Sequence, residues 1–342
     1  MTDFQTVQGF EDVWRPPVRP RIVRPRTVLR PSAASSGGAR ARLERIAARA
    51  PEVMVKVTGR TRDGAHLRAH LEYISRNGQL ELEGADGALI VSRRDVADLA
   101  DEWAGAARAD NSRRRDSPVS HSVILSMPAG TSEIAVRDAA RAFAADMFAD
   151  RHDYVFTLHT DTPRPHVHLA ICSRGHAGER LNPKKADLEL WRQTFAQTLR
   201  DRGVEAEATP RRARGVTRKA ERTSLRKIRD RQESGRGAMG EVLRGAYRDA
   251  ARAAFQGDVQ PRAWERRTAE RQARVRGLYL AQARLLAASP DAGDRNLGRR
   301  VEAFVQAMPQ PDSQRLALAR ELRAANQRAS QREGGNDRDR TR

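Results

Sequence analysis

The chain has 342 residues, of which 64 are Lys or Arg and 44 are Asp or Glu, so its formal net charge is +20. This excess favours a polyanionic partner. No segment approaches the roughly 20 apolar residues of a membrane span and no apolar signal peptide opens the chain, so we expect a cytoplasmic protein without membrane insertion. The single cysteine, Cys172, excludes an internal disulfide framework and a cysteine-based zinc cluster.

Residues 1–50 are predicted to form a disordered basic tail. The stretch WRPPVRPRIVRPRTVLRPSAASSGGARAR mixes Pro, Arg, Ser and Gly without the period of a helix or a strand. Such a segment has too few apolar side chains to order itself.

Residues 51–210 show the periods of interspersed strands and helices. In chain order the patterns predict a strand in VMVKVTG, a helix in GAHLRAHLEYISRNG, a hairpin in QLELEGADGALIVS, a helix around Trp103, a strand in VSHSVILSM, a helix in PAGTSEIAVRDAARAFAADMF, strands in YVFTLH and HVHLAIC, and a helix over 187–202. Because short loops join two of the strand pairs, we expect an α+β fold, with a mostly antiparallel central sheet covered by helices.

The composition changes beyond residue 210. Residues 209–231 contain ten Lys or Arg and two acidic residues, and helical patterns resume further along. We therefore predict a basic helical accessory region over 211–325 and a disordered tail over 326–342.

Three of the eight histidines lie within the thirteen residues HTDTPRPHVHLAI. His166 and His168 alternate along a strand and therefore project from the same face. If the two strands pair around TDTPRP, His159 lies beside His166 across the ladder. Three converging imidazoles would form an open metal site, typical of a catalytic metal. The alternative is that the histidines are unrelated surface or core residues. This explanation fits a single His-x-His pair better than it fits three histidines.

Asp161 is predicted to accept a hydrogen bond from one ring N–H and so to hold the tautomer of a ligand. The metal is a divalent cation. Mg²⁺ prefers oxygen ligands, whereas imidazoles suit Mn²⁺ better, so both ions stay open.

Tyr73 belongs to the predicted helix GAHLRAHLEYISRNG. Together with His66 and His70 it forms a stripe about 100° from the apolar stripe of that helix, so its ring lies at the margin of the core. A tyrosine at such a position is either a packing residue with a hydrated hydroxyl or a group that reaches a cleft.

HLEYISRNGQLELEG, HSVILSMPAGTS and HTDTPRPHVHLAI occur in this order and resemble the three motifs of the conjugative relaxases, the mobilisation nucleases of plasmids that share a His-hydrophobic-His signature. The resemblance covers about residues 52–208. It implies a site- and strand-specific, metal-dependent DNA-nicking transesterase that forms a 5′-phosphotyrosyl link and initiates the transfer of a plasmid or mobile element.

Carried over by residue, the resemblance implies that Tyr73 is the nucleophile and that His159, His166 and His168 hold the metal. Asp161 would support one imidazole or assist proton removal. Ser126 matches a serine that contacts DNA near the cleavage position, although a strand-end hydroxyl that satisfies local backbone is an equal reading. Cys172 departs from the family pattern, in which a polar Asn is frequent at this position.

The expected partner is single-stranded DNA at a transfer origin. The basic residues that flank the motifs and could follow the backbone of the strand are Lys56, Arg60, Arg76, Lys184 and Lys185. No phosphate-binding Gly-x-x-x-x-Gly-Lys-Ser/Thr loop is present, so unwinding would fall to other proteins. The resemblance implies accessory relaxosome proteins, a type IV secretion coupling protein, and passage of the protein with the DNA into a recipient cell.

Two other functions fit parts of the sequence. A rolling-circle replication initiator uses similar chemistry. A non-enzymatic basic nucleic-acid-binding protein would share the charge but would leave no covalent product with DNA.

Overall fold

The computed structural model describes residues 4–14, 36–114, 116–218, 223–257 and 260–339. Its contacts divide the chain into two units. The first comprises Met1–Phe4 and Arg15–Thr209, and the second comprises Gln5–Trp14 and Pro210–Arg342. The sequence predicts the boundary between the α+β domain and the basic helical region at residue 210. Within the described residues, no helix is long and apolar enough to span a bilayer.

The first unit is built on a six-stranded sheet in which all pairs are antiparallel, as the α+β expectation requires. The strand order is β1-β4-β6-β5-β2-β3. The strands are β1 (Met54–Thr61), β2 (Leu82–Gly84), β3 (Leu89–Ile90), β4 (Ser120–Ser126), β5 (Tyr154–His159) and β6 (His166–Cys172). The helices are α1 (Ser36–Ala47), α2 (Gly64–Ile74), α3 (Arg93–Ala109), α4 (Glu133–Ala144) and α5 (Lys185–Arg200).

Each face of the sheet has its own apolar core. Alternate residues of β4, β5 and β6, such as Leu125, Phe156 and Leu169, pack against α4 and α5. On the other face, α2 and α3 bury Leu71 and Trp103 against the sheet. The period of two in the strands and the period of 3.6 in the helices therefore specify which side chains enter which core.

The structure differs from the predicted N-terminal tail at two places. Residues 15–35 lie outside the described residues, but Glu11–Val13 form a short 3-10 helix and α1 buries Leu43 and Ile46. Helix α1 is also tied to the end of the first unit, because Arg45 donates to Glu207 over 3.0 Å. Tertiary contacts thus order short segments whose own composition predicts disorder.

The second unit is helical. It contains α6 (Thr223–Glu233), α7 (Glu241–Phe255), α8 (Ala263–Ala287), α9 (Ala292–Gln306) and α10 (Gln314–Asp339). The N-terminal segment packs here: Phe10 stacks edge-on against Tyr279, and Trp14 Nε1 donates to the Tyr279 hydroxyl over 3.0 Å. Helix α10 continues to Asp339, whereas residues 326–342 were predicted to be disordered. A helix that is already nucleated extends at little cost through residues such as Gln327, Arg328 and Ala329.

Candidate active site

The histidine cluster is formed by the pairing of β5 with β6. His159 pairs directly with His166, and the proline-bearing loop closes the hairpin between them, as the sequence predicts. His168 lies two residues further along β6, opposite Thr157 and Ile124. Because paired and alternate residues share one face of a sheet, all three imidazoles project to the side that α2 covers.

The three rings approach one another closely. Their centroids are 5.4 Å apart for His159 and His166, 4.4 Å for His159 and His168, and 5.2 Å for His166 and His168. One ring nitrogen from each residue lies within 4.8 Å of the other two. The rings therefore surround a common centre that one cation could occupy.

Hydrogen bonds assign the ring nitrogens of two of these residues. His159 Nε2 donates to the Ile74 carbonyl over 2.7 Å, and His166 Nδ1 donates to the Arg164 carbonyl over 3.1 Å. The ring nitrogens that carry a lone pair are therefore Nδ1 of His159 and Nε2 of His166. Backbone carbonyls thus orient both rings, which is the usual support of a metal-ligating imidazole.

Burial keeps two of the three imidazoles neutral. It lowers the pKa of His168 to about 3, with a further contribution from the neighbouring His159, and it also lowers the pKa of His159. Imidazoles must be deprotonated to ligate a metal. These two rings are therefore ready to act as ligands at neutral pH, and the trio fits a divalent cation by its donor chemistry.

Helix α2 carries Tyr73 to this centre. The helix begins after Asp63, whose side chain accepts from the backbone N–H of His66 over 2.8 Å, a regular N-cap. Its apolar stripe, which includes Leu71 and Ile74, is fully buried. Tyr73 lies on the adjacent stripe and is 59% exposed, with its ring centroid 6.1 Å from that of His168. The phenol is thus held at the histidine cluster and open to solvent.

The turn after α2 has an uncommon backbone. Arg76 and Asn77 have φ of 53° and 58°, and Gly78 has φ of 82°. A Cβ atom on Gly78 would lie 2.6 Å from the backbone nitrogen of Arg93, so only glycine fits there. Left-handed backbone at two non-glycine residues is strained, and such strain clusters at functional sites.

This turn places the Arg76 side chain next to Tyr73, His159 and Asp161. Its guanidinium carbon is 5.6 Å from the Tyr73 ring centroid, and its NH2 group lies 3.3 Å from Nδ1 of His159. The same NH2 group donates to Asp161. The prediction that Asp161 accepts from a ring N–H was therefore wrong, since Asp161 accepts from Arg76 and the Ile74 carbonyl accepts from the ring. The backbone carbonyl could not be identified from a pattern of side chains.

The other predicted residues lie at different distances from the cluster. Ser126 pairs with His166 across β4 and β6, is buried, and donates weakly to the Met127 carbonyl at 3.4 Å. Lys56 is exposed and pairs with Ile124 of β4, which in turn pairs with His168 of β6. Cys172 is buried in the core beneath α2 and α3, where burial raises the pKa of its thiol to about 11.

Three predicted DNA contacts are not brought to the histidines. Arg60 pairs with His121 on β4, which places its side chain on the opposite face of the sheet. Arg60 also borders the groove that is described below. Lys184 and Lys185 are exposed at the start of α5, which packs on that opposite face. No contact among the described residues joins either lysine to the trio.

An open groove of about 310 Å³ lies beside Tyr73 and His168. Helix α2 contributes His66 and His70 to it, and the sheet contributes Ser122, which lies 3.5 Å from Nδ1 of His70. The sequence predicts that His66 and His70 share a helical stripe with Tyr73, but it predicts no role for them. Nothing in the sequence indicates that Ser122 lies near His70, because this proximity depends on how α2 crosses the sheet.

Comparisons with known proteins find similarity over much of the first unit. Residues 73–204 match the family model described as the MobA/VirD2-like nuclease domain of relaxases. The T-DNA border endonuclease VirD2 of Rhizobium radiobacter is 29% identical over 185 residues, covering 48% of this chain and 43% of that protein. VirD2 of Agrobacterium fabrum is 28% identical over 207 residues, covering 52% and 46%. The chain thus spans less than half the length of these curated relatives.

Two solved structures show a distant likeness. The relaxase domain of MobM, bound to a 26-nucleotide oriT DNA of pMV158, has a TM-score of 0.36 and 13% identity, covering 50% of this chain and 96% of that one. A structure described as the molecular basis of vancomycin resistance transfer in Staphylococcus aureus has a TM-score of 0.31 and 13% identity, covering 47% and 99%. The family match and the motifs that resemble the family coincide along the sequence, and residues 73–204 are therefore similar to the MobA/VirD2-like nuclease domain of relaxases.

Proposed function

We propose that this protein is a site- and strand-specific DNA-nicking transesterase that initiates transfer of a plasmid or mobile element. One observation carries the proposal: the exposed phenol of Tyr73 lies beside three converging imidazoles, with ring centroids 6.1 Å apart for Tyr73 and His168. A nucleophile next to a cation site is an arrangement that supports phosphoryl transfer.

In the proposed reaction, the Tyr73 oxygen attacks the scissile phosphorus. A bond forms between phosphorus and the phenolic oxygen, and the bond from phosphorus to the 3′ oxygen breaks. The phenolic proton leaves to solvent, and the departing 3′ oxygen takes up a proton to become a free 3′-hydroxyl. The product is a 5′-phosphotyrosyl link. Because a phenol has a pKa near 10, phenolate is a competent leaving group and the strand can later be rejoined.

Arg76 is proposed to bind the scissile phosphate. Its guanidinium group lies over the Tyr73 ring and reaches His159, so a phosphate beside the phenol would meet a fixed positive charge. In the structure Asp161 is the ion-pair partner of Arg76. We propose that Asp161 orients this guanidinium, and that any help in removing the Tyr73 proton is secondary.

His159, His166 and His168 are proposed to hold a divalent cation, Mg²⁺ or Mn²⁺. Such a cation withdraws charge from a bound phosphate oxygen. Arg76 lies at the lone pair of His159 Nδ1, so this nitrogen could hold a cation only if the guanidinium group turned away from it. Ser126 and Lys56 lie in neighbouring register positions of the sheet and are proposed DNA contacts, with Arg60, Lys184 and Lys185 as contacts further along the strand.

The proposed substrate is single-stranded DNA at a transfer origin, and the proposed setting is the cytoplasm. Accessory relaxosome proteins would expose the strand. A type IV secretion coupling protein would pass the covalent complex to a recipient cell.

Formation of the covalent adduct tests the proposal. The full chain is incubated with labelled single strands from candidate transfer origins and Mn²⁺ or Mg²⁺, and adducts are separated in denaturing gels. Tyr73→Phe should form none, whereas the matched control Tyr247→Phe, which changes an exposed tyrosine of the second unit, should retain wild-type yield. Chelation should stop the reaction.

Adducts that persist in Tyr73→Phe would move the nucleophile elsewhere, and nicking in the presence of chelator would remove the metal role. Binding without any adduct would favour the non-enzymatic alternative. Adduct formation at a replication origin, with no transfer of a linked plasmid, would favour a rolling-circle initiator.

A further inference from the structure

One exposed strip of α8 combines a tryptophan with three arginines. It consists of Trp264, Arg267, Arg271 and Arg274, all exposed. Their spacing of three, four and three residues places them on one side of the helix. At a rise of 1.5 Å per residue, the α8 strip is about 15 Å long, the length of a few nucleotides.

The side chains of the α8 strip lie largely outside the packed interior of the second unit. Val275, Tyr279 and Leu286 are among the buried side chains of α8, and the helix packs mainly against α9. Trp264 is 53% exposed, whereas Trp14, Trp103 and Trp191 are each 4% exposed. A tryptophan is normally well buried, so a largely exposed indole beside cations marks a surface that can stack against a planar ligand.

The charges of the α8 strip are available to an anion. Among the described residues, no carboxylate lies within 4.0 Å of the guanidinium group of any of its three arginines. This holds also for Glu270, which is exposed on the same helix. The surrounding sequence adds to the field, because residues 210–342 contain 32 Lys or Arg and 16 Asp or Glu, a net charge of +16 out of +20. A polyanion is the complementary partner.

We propose that the α8 strip is a second binding site for single-stranded nucleic acid, separate from the histidine cluster. Arg267, Arg271 and Arg274 contact successive phosphates, and an unpaired base stacks on Trp264. A base within a duplex cannot stack in this way, so the strip selects a single strand. The proposal that this single strand is the nicked DNA rests on the proposed function, whereas the binding of a single strand does not.

Binding of a homopolymer tests the site without any cleavage. The full chain is titrated with fluorescein-labelled oligo(dT) in EDTA, and anisotropy is measured over a range of salt concentrations. The triple variant Arg267→Ala, Arg271→Ala, Arg274→Ala should bind about tenfold more weakly, and the slope of log K against log salt should fall by about 2, since each lost phosphate contact contributes about 0.7. The charge-matched control is Arg284→Ala, Arg299→Ala, Arg328→Ala, which removes three exposed arginines of the same unit. It should bind nearly as the wild type.

Trp264 supplies a second readout, because it is the one tryptophan of the four that solvent reaches freely. Oligo(dT) should quench its emission, Trp264→Phe should retain most of the affinity through stacking, and Trp264→Leu should lose several-fold. Equal weakening in the two triple variants, or unquenched Trp264 at saturation, would overturn the proposal. So would equal affinity for a duplex of the same length, or quenching by phosphatidylserine vesicles that oligo(dT) does not displace.

The covalent-adduct assay on the same variants separates the two proposals. Adducts together with unquenched Trp264 would reject the α8 strip alone. Quenching without adducts would reject the nicking function alone.

Discussion

His121 should contribute to the acid sensitivity of the first unit, and replacing it by Asn should remove that contribution. The imidazole is 1% exposed, pairs with Ile171 on β6, and lies 2.9 Å from the Ser173 hydroxyl. Burial lowers its pKa to about 4, and the positive charge of Arg60 and the neighbouring His152 contribute in the same direction. In the unfolded chain a histidine titrates near 6.5.

The sign follows from this difference. Because the pKa in the folded state is the lower one, the unfolded chain binds more protons between pH 6.5 and pH 4. The stability that depends on neutral His121 is therefore present above pH 6.5 and is lost as the pH falls. With values of 6.5 and about 4, the loss amounts to about 2 kcal/mol at pH 5.

Urea unfolding at 25 °C, at pH values from 8 to 5 and in EDTA, measures this loss. His121→Asn keeps a hydrogen-bonding group opposite Ser173 but cannot titrate. The difference in unfolding free energy between the wild type and the variant should shrink by about 2 kcal/mol from pH 8 to pH 5. Adding His152→Asn should flatten the profile further, because burial lowers the pKa of His152 too. Parallel pH profiles for the wild type and His121→Asn would refute the depressed pKa.

Three further outcomes are expected in the first unit. Leu71→Ala should lower the unfolding free energy by about 2–5 kcal/mol, because the Leu71 side chain of α2 is fully buried. Urea titration measures this change, and a loss below about 1 kcal/mol would contradict that packing. Gly78→Ala should cost at least about 1 kcal/mol and reduce adduct yield, because the new Cβ meets the backbone of Arg93; unchanged melting and yield would exclude the strained turn. Cys172 should resist maleimide at pH 8 until urea is added, because burial raises the pKa of its thiol to about 11; rapid labelling of the native protein would show an open core.

Local patterns in the sequence were sufficient for most elements of the first unit. The stripe of Leu67, Leu71 and Ile74 predicts the buried side of α2, and the hairpin turning at Asp86-Gly87 joins β2 to β3. The pairing of His159 with His166 also follows from local order, since a short loop leaves few registers open to the two strands. Periodicity and turn length are properties of contiguous residues, so they can be read without the fold.

The same patterns were insufficient for the N-terminal segment. Phe10 and Trp14 are isolated apolar residues before a stretch rich in Pro and Arg, and no period marks them. They are buried because Tyr279, more than 260 residues away, supplies the surface on which they pack. A segment without a core of its own becomes ordered only through such a partner.

The sequence alone determined the family motifs, the histidine trio and the helix that carries Tyr73. Only the tertiary structure decided that Tyr73 meets His168, that Arg76 lies between the phenol, His159 and Asp161, and that the Ile74 carbonyl holds the ring of His159. Apart from Tyr73 and Arg76, which are neighbours on the same turn, these partners are more than 80 residues apart in the chain. Their contact depends on the order of the strands in the sheet and on the path of α2 across it, and neither leaves a periodic signal in the sequence.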